Sequence, residues 1–287
     1  MRWLSRACVA LAAIAAAGSA VAADLSVKAP PRPLDVAYNW SGFYIGGNIG
    51  GAWGTFNTST TTVFSAIGYF ADTSVPAVNA IGGQSIKPSN VIGGVQAGYN
   101  WQAGRFVAGV EADINSFRLS GSAAATGVYP CCAPSTFTVA SAASTDWLFT
   151  ARGRLGFAAN NWLLFVTGGL AVTNLKGNFG FTDNCGNIAA CNGPGGPNAF
   201  EAASLSKTKL GYTVGAGAEA GLWGNWSLKA EYLYVKFDSE SVVSAISTPG
   251  LQPFAANNPF THTVDLSAHI ARLGVNYRFG GPVIARY

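Results

Sequence analysis

Apolar and polar residues alternate with a period of two in several segments of the chain, as in strands whose two faces meet different surroundings. From Val91 to Trp101 the odd positions are apolar or small, whereas the even positions include Gln96 and Asn100. After a turn at Gln102 to Gly104, the segment Arg105 to Asn115 alternates in the same way. The two segments therefore predict a β-hairpin.

The same unit recurs along the chain. A second hairpin is predicted from Trp147 to Thr173 and a third from Leu210 to Tyr234. Outer strands are predicted at Gly42 to Trp53 and at Ala271 to Phe279. Eight antiparallel strands are therefore the natural count. The alternation changes phase near His269, so the last strand begins either near Val264 or after a bulge at that histidine.

Long stretches rich in Ser, Thr, Asn, Gly and Pro separate the hairpins. They cover roughly Gly54 to Asn90, Arg118 to Thr145, Lys176 to Ser206 and Asp238 to Thr261. Short and long connections therefore alternate, which is typical of a transmembrane barrel with short periplasmic turns and long extracellular loops. The alternation also predicts that both termini are periplasmic.

Composition narrows the choice of structure. Charged residues make up 10% of the chain, whereas an ordinary soluble domain has about 25%. After the N-terminal region the sequence contains no apolar run as long as the roughly 18 residues of a transmembrane helix. In lipid a closed barrel is then the structure that satisfies the backbone hydrogen bonds. The predicted fold class is all-β: a transmembrane antiparallel up-and-down β-barrel.

Residues 1–22 are typical of a secretory signal peptide. Arg2 and Arg6 precede the apolar stretch Ala7 to Ala17, and the small-residue site Ala20 to Ala22 follows it. We expect a periplasmic linker at residues 23–39, the barrel at 40–279 and a short tail at 280–287. Removing the signal peptide reduces the 17 basic residues to 15, against 13 acidic residues, so the charge gives no reason to expect a nucleic-acid partner.

Aromatic residues gather at the predicted strand ends, where a membrane interface would lie. At the turn ends these are Trp40, Phe43, Tyr99, Trp101, Phe106, Phe157, Trp162, Trp226, Tyr277 and Phe279. At the loop ends they are Trp53, Trp147, Tyr212 and Tyr234. The two groups predict two aromatic girdles and a lipid partner between them.

The segments that open and close the predicted barrel resemble one family. Tyr38 to Gly47 reads YNWSGFYIGG and Leu273 to Phe279 reads LGVNYRF, and both are similar to the small porin-like outer-membrane proteins of alphaproteobacteria. The resemblance covers nearly all of the mature chain. It implies an outer-membrane location and a role as a surface antigen or an envelope-stabilising barrel, with some relatives acting as porins or hemin binders.

The resemblance also implies a C-terminal signal for the outer-membrane assembly machinery. Its apolar positions would be Leu273, Val275, Tyr277 and Phe279. Such barrels commonly end on the aromatic residue of the last strand, so Phe279 is favoured over Tyr287 as the end of that signal. Pro282 agrees with this choice, because proline cannot donate to a strand ladder.

Charged residues occupy inward positions of the predicted strands. They are Glu111, Asp113, Arg152, Arg154, Glu219, Lys229, Glu231, Arg272 and Arg278. The interior of an eight-stranded barrel is about filled by side chains, so these charges predict a salt-bridged plug. The alternative is a narrow pore for small polar solutes, in which the pairs would exchange partners or admit a file of water.

Three weaker patterns carry other chemistry. His262, with Phe254 and Phe260, could bind hemin at the surface, although an exposed polar residue at the rim is the simpler interpretation. Asp265, Ser267 and His269 alternate along one strand and could in principle form a hydrolase site, but any polar strand gives this spacing. Gly215 to Ala220 matches a dinucleotide fingerprint formally, yet no helical pattern follows it.

Four cysteines remain after processing, all in predicted extracellular loops, where export permits disulfides. A bond between Cys185 and Cys191 is favoured over one between the adjacent Cys131 and Cys132, whose geometry is strained. The spacing fits no zinc site.

The sequence therefore predicts, first, a structural barrel that strengthens the outer membrane and presents loops at the surface. A narrow porin is the second hypothesis, and binding of hemin or of a host or phage partner through the loops is the third. We expect no enzymatic activity and no cofactor.

Overall fold

The computed structural model describes residues 38–187 and 196–280. The expected signal peptide, nearly all of the linker and all but the first residue of the tail lie outside these ranges. The described strands are β1 (Gly42–Thr62), β2 (Gly83–Ile86), β3 (Ser89–Ala103), β4 (Phe106–Ser116), β5 (Ser120–Val128), β6 (Thr136–Ser144), β7 (Trp147–Ala159), β8 (Trp162–Asp183), β9 (Phe200–Gly221), β10 (Trp226–Ser244) and β11 (Phe260–Phe279). The helices are α1 (Ser74–Ile81), a 3-10 turn (Cys185–Asn187) and α2 (Gln252–Ala255). Within the described ranges, none of these helices has the length and hydropathy needed to cross a bilayer.

Eight of the strands form a closed ring. Its order is β1, β3, β4, β7, β8, β9, β10 and β11, with every neighbouring pair antiparallel. Pairing of β8 with β9, from Trp162↔Ala220 to Thr182↔Phe200, closes the ring. A closed ring leaves no open edge to lipid, which is the condition for a strand structure in a bilayer.

Three further strands lie in segments predicted to be loops, and that prediction is wrong for them. β2 pairs with β1 from Phe56↔Ile86 to Ser59↔Gly83. The hairpin β5–β6 pairs with β8 from Phe137↔Asp183 to Ser144↔Lys176. The predicted eight strands are therefore the ring, and the whole sheet has eleven.

Several ring strands are far longer than a membrane requires. β1, β8, β9 and β11 contain 21, 22, 22 and 20 residues, whereas a bilayer needs about 9–11 per strand. The loop halves of these strands extend beyond the bilayer, where water replaces lipid as the outer solvent. Their alternation is therefore inverted: in β8, Leu175 and Phe179 are buried inside while Lys176 is exposed outside.

This inversion also settles where the last strand begins. β11 pairs with β1 without interruption from Phe43↔Phe279 to Thr62↔Phe260, so no bulge interrupts this ladder at His269. Inward residues of β11 are polar near the turn end, such as Arg272, and apolar near the loop end, such as Leu266 and Ile270. The alternation of polar and apolar residues therefore changes phase near His269 because the outer face of this one continuous strand passes from lipid to water.

The three predicted short turns are confirmed and define the turn end of the barrel. Two of these turns contain a glycine in the left-handed region of backbone conformation: Gly104 has φ +62° and Gly224 has φ +58°. In the third turn Asn160 takes φ 54°, a conformation that asparagine tolerates better than most residues. The opposite end, where the long connections gather, is called the loop end.

Candidate functional site

The charge cluster of the barrel is built from inward positions of five strands: β4, β7, β9, β10 and β11. The ladder places Glu111 directly opposite Arg152, Lys229 opposite Glu219 and Glu231 opposite Arg272. Three of the four acids therefore have a base directly opposite on the next strand, whereas Asp113 is opposite Thr150. The cluster comprises Glu111, Asp113, Glu219, Glu231, Arg152, Arg154, Lys229 and Arg272, all buried.

Contacts across the barrel join these pairs into one network. Arg152 binds Glu231 through Nη1 at 2.7 Å and Asp113 through Nη2 at 2.8 Å, and it also contacts Glu111. Arg272 Nη2 lies 2.7 Å from Glu231 and 3.0 Å from Asp113. Four acids and four bases balance, so the cluster is neutral as a whole.

The remaining bonds complete the network at its turn end. Lys229 Nζ lies 2.8 Å from Glu111 Oε2, and Arg154 Nη2 lies 2.8 Å from Glu219 Oε2. Tyr44 donates to Glu111 at 2.8 Å and Ser227 donates to Glu219 at 2.6 Å. These neutral donors add to the contacts that the cations make with the two carboxylates, and full hydrogen bonding is the condition for keeping buried charges.

Arg278 was predicted to belong to this network, and that part of the prediction is wrong. Its guanidinium lies over the ring of Tyr38, 4.6 Å from the ring centroid. Arg278 is the last inward position of β11, so it reaches the turn-end mouth of the barrel instead of the charges at its middle.

Two apolar layers enclose the charge cluster. The lower layer, at the turn end, is Trp40, Val107, Ala158, Leu163 and Phe165. The upper layer, towards the loop end, includes Ala52, Phe56, Ile92, Phe117, Leu148, Ala171, Leu233, Val235, Phe237, Leu266 and Ile270. Every side chain of the upper layer named here is at most 2% exposed. The interior is thus charged in the middle, with an apolar cluster towards each end; at the turn end buried Gln96, Asn100 and Asn276 share the interior with the lower layer.

His262 does not lie at an exposed rim, and that expectation is wrong. It is 0% exposed, because β11 continues beyond the bilayer and turns this residue inwards. Its ring stacks on Phe179 at 4.8 Å, Nδ1 is 2.9 Å from Thr60 Oγ1, and Nε2 is 3.2 Å from Glu201. With both nitrogens hydrogen-bonded, this imidazole offers no free ligand to a surface hemin.

Of the three residues proposed for a hydrolase site, Asp265 and His269 bond to other side chains. Asp265 lies 3.2 Å from Lys236 Nζ and accepts from Asn57 at 3.3 Å. His269 Nδ1 lies 2.5 Å from Tyr232 Oη on the outer wall. In the described part of the chain, no group of three or more His, Cys, Asp or Glu residues could hold a metal ion.

The disulfides only partly follow the prediction that favoured Cys185–Cys191 over Cys131–Cys132. Cys131 and Cys132, the adjacent pair that was ranked lower, form a disulfide. Cys185 is also disulfide-bonded. Cys191 lies outside the described residues, so its predicted bond to Cys185 stays a prediction.

The long connections fold into a cap above the barrel, centred on Asp183. We use "loop-end cap" for the described residues within 58–86, 119–145, 177–206 and 241–263. Asp183 accepts hydrogen bonds from Tyr69 at 2.7 Å, Tyr129 at 3.0 Å and the Ala199 amide at 2.7 Å. Burial raises the pKa of Tyr129, so this phenol stays protonated as a donor. One carboxylate thus joins three of the four loops, and the alternation of strands gave no sign of it.

Replacing Asp183 by alanine should loosen the cap without unfolding the barrel. Hydrogen bonds to a charged group contribute about 1.5–3 kcal/mol each, so cleavage of the cap by a protease should become at least about tenfold faster. Asp72→Ala is the matched control, because Asp72 is an exposed acid of the same cap. Equal cleavage rates in the two variants would contradict the role given to Asp183.

The predicted aromatic girdles are present on the outer wall. At the loop end Trp53 and Tyr212 are exposed, and Tyr234 packs 5.2 Å from His269. At the turn end Trp101, Phe106 and Trp162 are exposed. Exposed aliphatic residues lie between the two girdles, among them Ile49, Val95, Val110, Val166 and Leu273. This outer band can face only lipid.

A closed ring with an apolar outer band and a paired interior defines a transmembrane β-barrel, and the comparisons agree. The family model described as the outer membrane protein beta-barrel domain matches residues 8–279. A 31 kDa outer-membrane immunogenic protein of Brucella melitensis is 32% identical over 94% of this chain and 99% of its own length. A 22 kDa outer membrane protein of Rhizobium leguminosarum bv. viciae is 30% identical over 74% of this chain and 71% of its own.

The chain therefore belongs to the outer-membrane β-barrel protein family, and the resemblance stated from the sequence is confirmed. Its location is the outer membrane. Among solved structures, the outer membrane protease OmpT of Escherichia coli is similar at a TM-score of 0.42 and 8% identity, covering 84% of this chain and 97% of that chain. A likeness of that degree supports no functional argument.

The apolar residues of the predicted assembly signal face outwards near the end of β11. Leu273, Val275 and Phe279 are exposed to the lipid band. The Phe279 ring packs 5.7 Å from that of Phe43 on β1, at the seam where the first and last strands of the barrel pair. The role of these residues in assembly stays a prediction.

Phe279→Ala should reduce insertion of the barrel several-fold more than deletion of residues 281–287. The reason is that the aromatic ring would contribute both to the assembly signal and to the seam. The fraction of heat-modifiable, folded protein in outer-membrane preparations measures insertion. Equal insertion of the two variants would contradict the assignment.

Proposed function

We propose that this protein is a closed, non-conducting barrel that strengthens the outer membrane and holds the loop-end cap at the cell surface. One observation carries the proposal: the charge cluster is neutral, fully buried and enclosed by two apolar layers. An ion entering the barrel would have to cross apolar material twice.

The contacts of Arg152 argue against the porin alternative. This guanidinium contacts three carboxylates from β4 and β10. Opening a water file would separate several of these pairs at once, and each separation leaves a buried charge without its partner. The upper apolar layer would also have to part. Thr173 and Thr213 are buried at its level, opposite Leu148 and Val235, but neither carries a charge that could replace a lost ion pair.

We also propose that the protein is not an enzyme. Support comes from the outer wall, where Asp265 pairs with Lys236 and His269 pairs with Tyr232. The surface role rests on the cap, which is the part of the chain that antibodies or other partners would reach. The names of the Brucella relatives call those proteins immunogenic.

A deletion strain tests the proposal. The wild-type chain should restore resistance to an anionic detergent, and uptake of a small sugar should not depend on its amount. Arg152→Met, which weakens the barrel, should restore less resistance. Sugar uptake that rises with the amount of protein would favour the porin alternative instead.

A further inference from the structure

The basic residues of the loop half are confined to a ring at one level. Six lysines and arginines of the described residues lie there: Lys87, Arg118, Lys176, Lys207, Lys209 and Lys236. By sequence, the segments 55–86, 119–145, 177–206 and 241–263 above this level contain no lysine or arginine. A surface selected only for solubility would spread its cations over the cap as well. The confinement of the basic residues to one level therefore needs a physical explanation.

That level is the loop-end edge of the lipid band. On β1 the ladder places Trp53 opposite His269, and Thr55 and Asn57 follow just above. Lys236 is opposite Tyr212 on β9, and Arg118 follows two residues after Ser116, which pairs with Trp147. Lys87, Arg118, Lys176 and Lys236 therefore lie where the phosphate groups of the outer lipid leaflet would meet the wall. Lys207 and Lys209 lie at the same level but are paired with Leu175 and Thr173, on the inward side of β9.

The two walls of the barrel differ in how these cations are paired. On the β9–β10–β11 wall, Lys209 lies 2.8 Å from Glu240 and Lys236 lies 3.2 Å from Asp265. Lys207 also contacts Glu240, and the hydrogen bonds from Lys207 and Lys209 lower the pKa of that carboxyl to about 2. These lysines are already neutralised, and exposed Asp238 adds a third acid.

The opposite wall carries an excess of positive charge. Lys87, Arg118 and Lys176, here called the basic patch, are all exposed. In the described ranges one acid, Asp146, accompanies them, and Lys176 Nζ lies 2.6 Å from it. Hydrogen bonds from Lys176 and Asn174, with the charges of Lys176 and Arg118, lower the pKa of Asp146, so the acid stays ionised and the patch has a net charge of two.

Hydrogen bonds tie together the segments that carry the three cations of the patch. Gly54 donates to the carbonyl of Pro88, next to Lys87, at 2.9 Å. The Asn90 side chain donates to the carbonyl of Arg118 at 2.7 Å, and the Phe117 amide donates to the backbone carbonyl of Asp146 at 2.8 Å. The loop ends of β3, β4, β7 and β8 are thereby tied into one surface.

We propose that the basic patch binds the phosphate of an anionic lipid in the outer leaflet. The Arg118 guanidinium can bind two phosphate oxygens at once, and the two lysines supply further charge. Directly below the patch, exposed Val91, Ile114 and Phe149 offer an apolar surface to the acyl chains. Lipid binding at this patch does not depend on whether the barrel interior is plugged, so the lipid site and the proposed non-conducting barrel can each fail without the other.

Lipid binding to the full mature protein, refolded in zwitterionic detergent, tests the proposal. Native mass spectrometry would count molecules of phosphatidic acid bound, with phosphatidylcholine as the reference lipid. The variant Lys87→Gln/Arg118→Gln/Lys176→Gln should bind phosphatidic acid at least about tenfold more weakly, since each cation near an anionic lipid contributes roughly fivefold. Its affinity for phosphatidylcholine should stay unchanged.

The matched control is Lys207→Gln/Lys209→Gln/Lys236→Gln, which removes three cations of the same ring from the balanced wall. It should change the affinity by less than about twofold, and a heat-dependent gel shift would establish that both variants fold. Equal losses in both variants, or no loss in either, would overturn the proposal. So would full competition by millimolar inorganic phosphate, because the site would then take a free anion and not a lipid.

Discussion

Replacing Arg152 by methionine should lower the free energy of unfolding of the barrel by about 3–5 kcal/mol. The substitution keeps a long side chain but removes the cation shared by Glu111, Asp113 and Glu231. Three carboxylates would then face each other with less positive charge nearby, in a place that water cannot reach.

Urea unfolding of the protein refolded in lipid vesicles, followed by tryptophan fluorescence, measures this change. Lys207→Gln is the control, because it breaks an ion pair with Glu240 in which Lys207 is largely exposed. Such pairs contribute at most about 1 kcal/mol. A loss in Arg152→Met no larger than in Lys207→Gln would show that the cluster does not hold the barrel together.

Replacing Phe237 by alanine should be about as damaging, with a loss of about 3–5 kcal/mol. Phe237 is fully buried in the upper apolar layer and pairs with Gly211 on β9 and Leu266 on β11, at the point where β10 shifts register. The loss therefore combines the missing apolar contact with the cost of a cavity.

Phe200→Ala is the matched control for this prediction. Phe200 is 52% exposed on the outer face of β9 above the lipid band, so its removal should change stability by about 0.5 kcal/mol or less. The same urea titration compares the two variants. If Phe237→Ala cost no more than Phe200→Ala, the upper layer would be loosely packed and a poor seal.

Much of the ring could be predicted, because lipid imposes a strict alternation on every strand that it touches. Val91 to Trp101 shows apolar outward and polar inward residues, and the structure confirms β3 there. Strands above the bilayer face water outside and apolar side chains inside. A search for apolar outward and polar inward residues therefore does not find them. The hairpin β5–β6 is the clearest case: Ser, Thr and Ala dominate it, and β8 supplies its partner only through tertiary contact.

The charge cluster could be predicted in its members but not in its pairing. Period two places Glu111 and Arg152 inside, and their shared ladder position follows once β4 and β7 are neighbours. Contacts across the barrel, such as Arg152 with Glu231, depend on the closure and tilt of the ring, which local patterns do not contain. For the same reason His262 was expected at a rim, although β11 carries it into the interior.

Planar-bilayer conductance of the refolded mature protein tests most directly whether the barrel is closed to ions. A heat-dependent gel shift on the same sample would show that the barrel is folded. We predict no discrete conductance steps, because the neutral charge cluster and both apolar layers fill the interior. Stable, reproducible steps from the folded wild-type protein would contradict the plug and make the inward charges the lining of a pore.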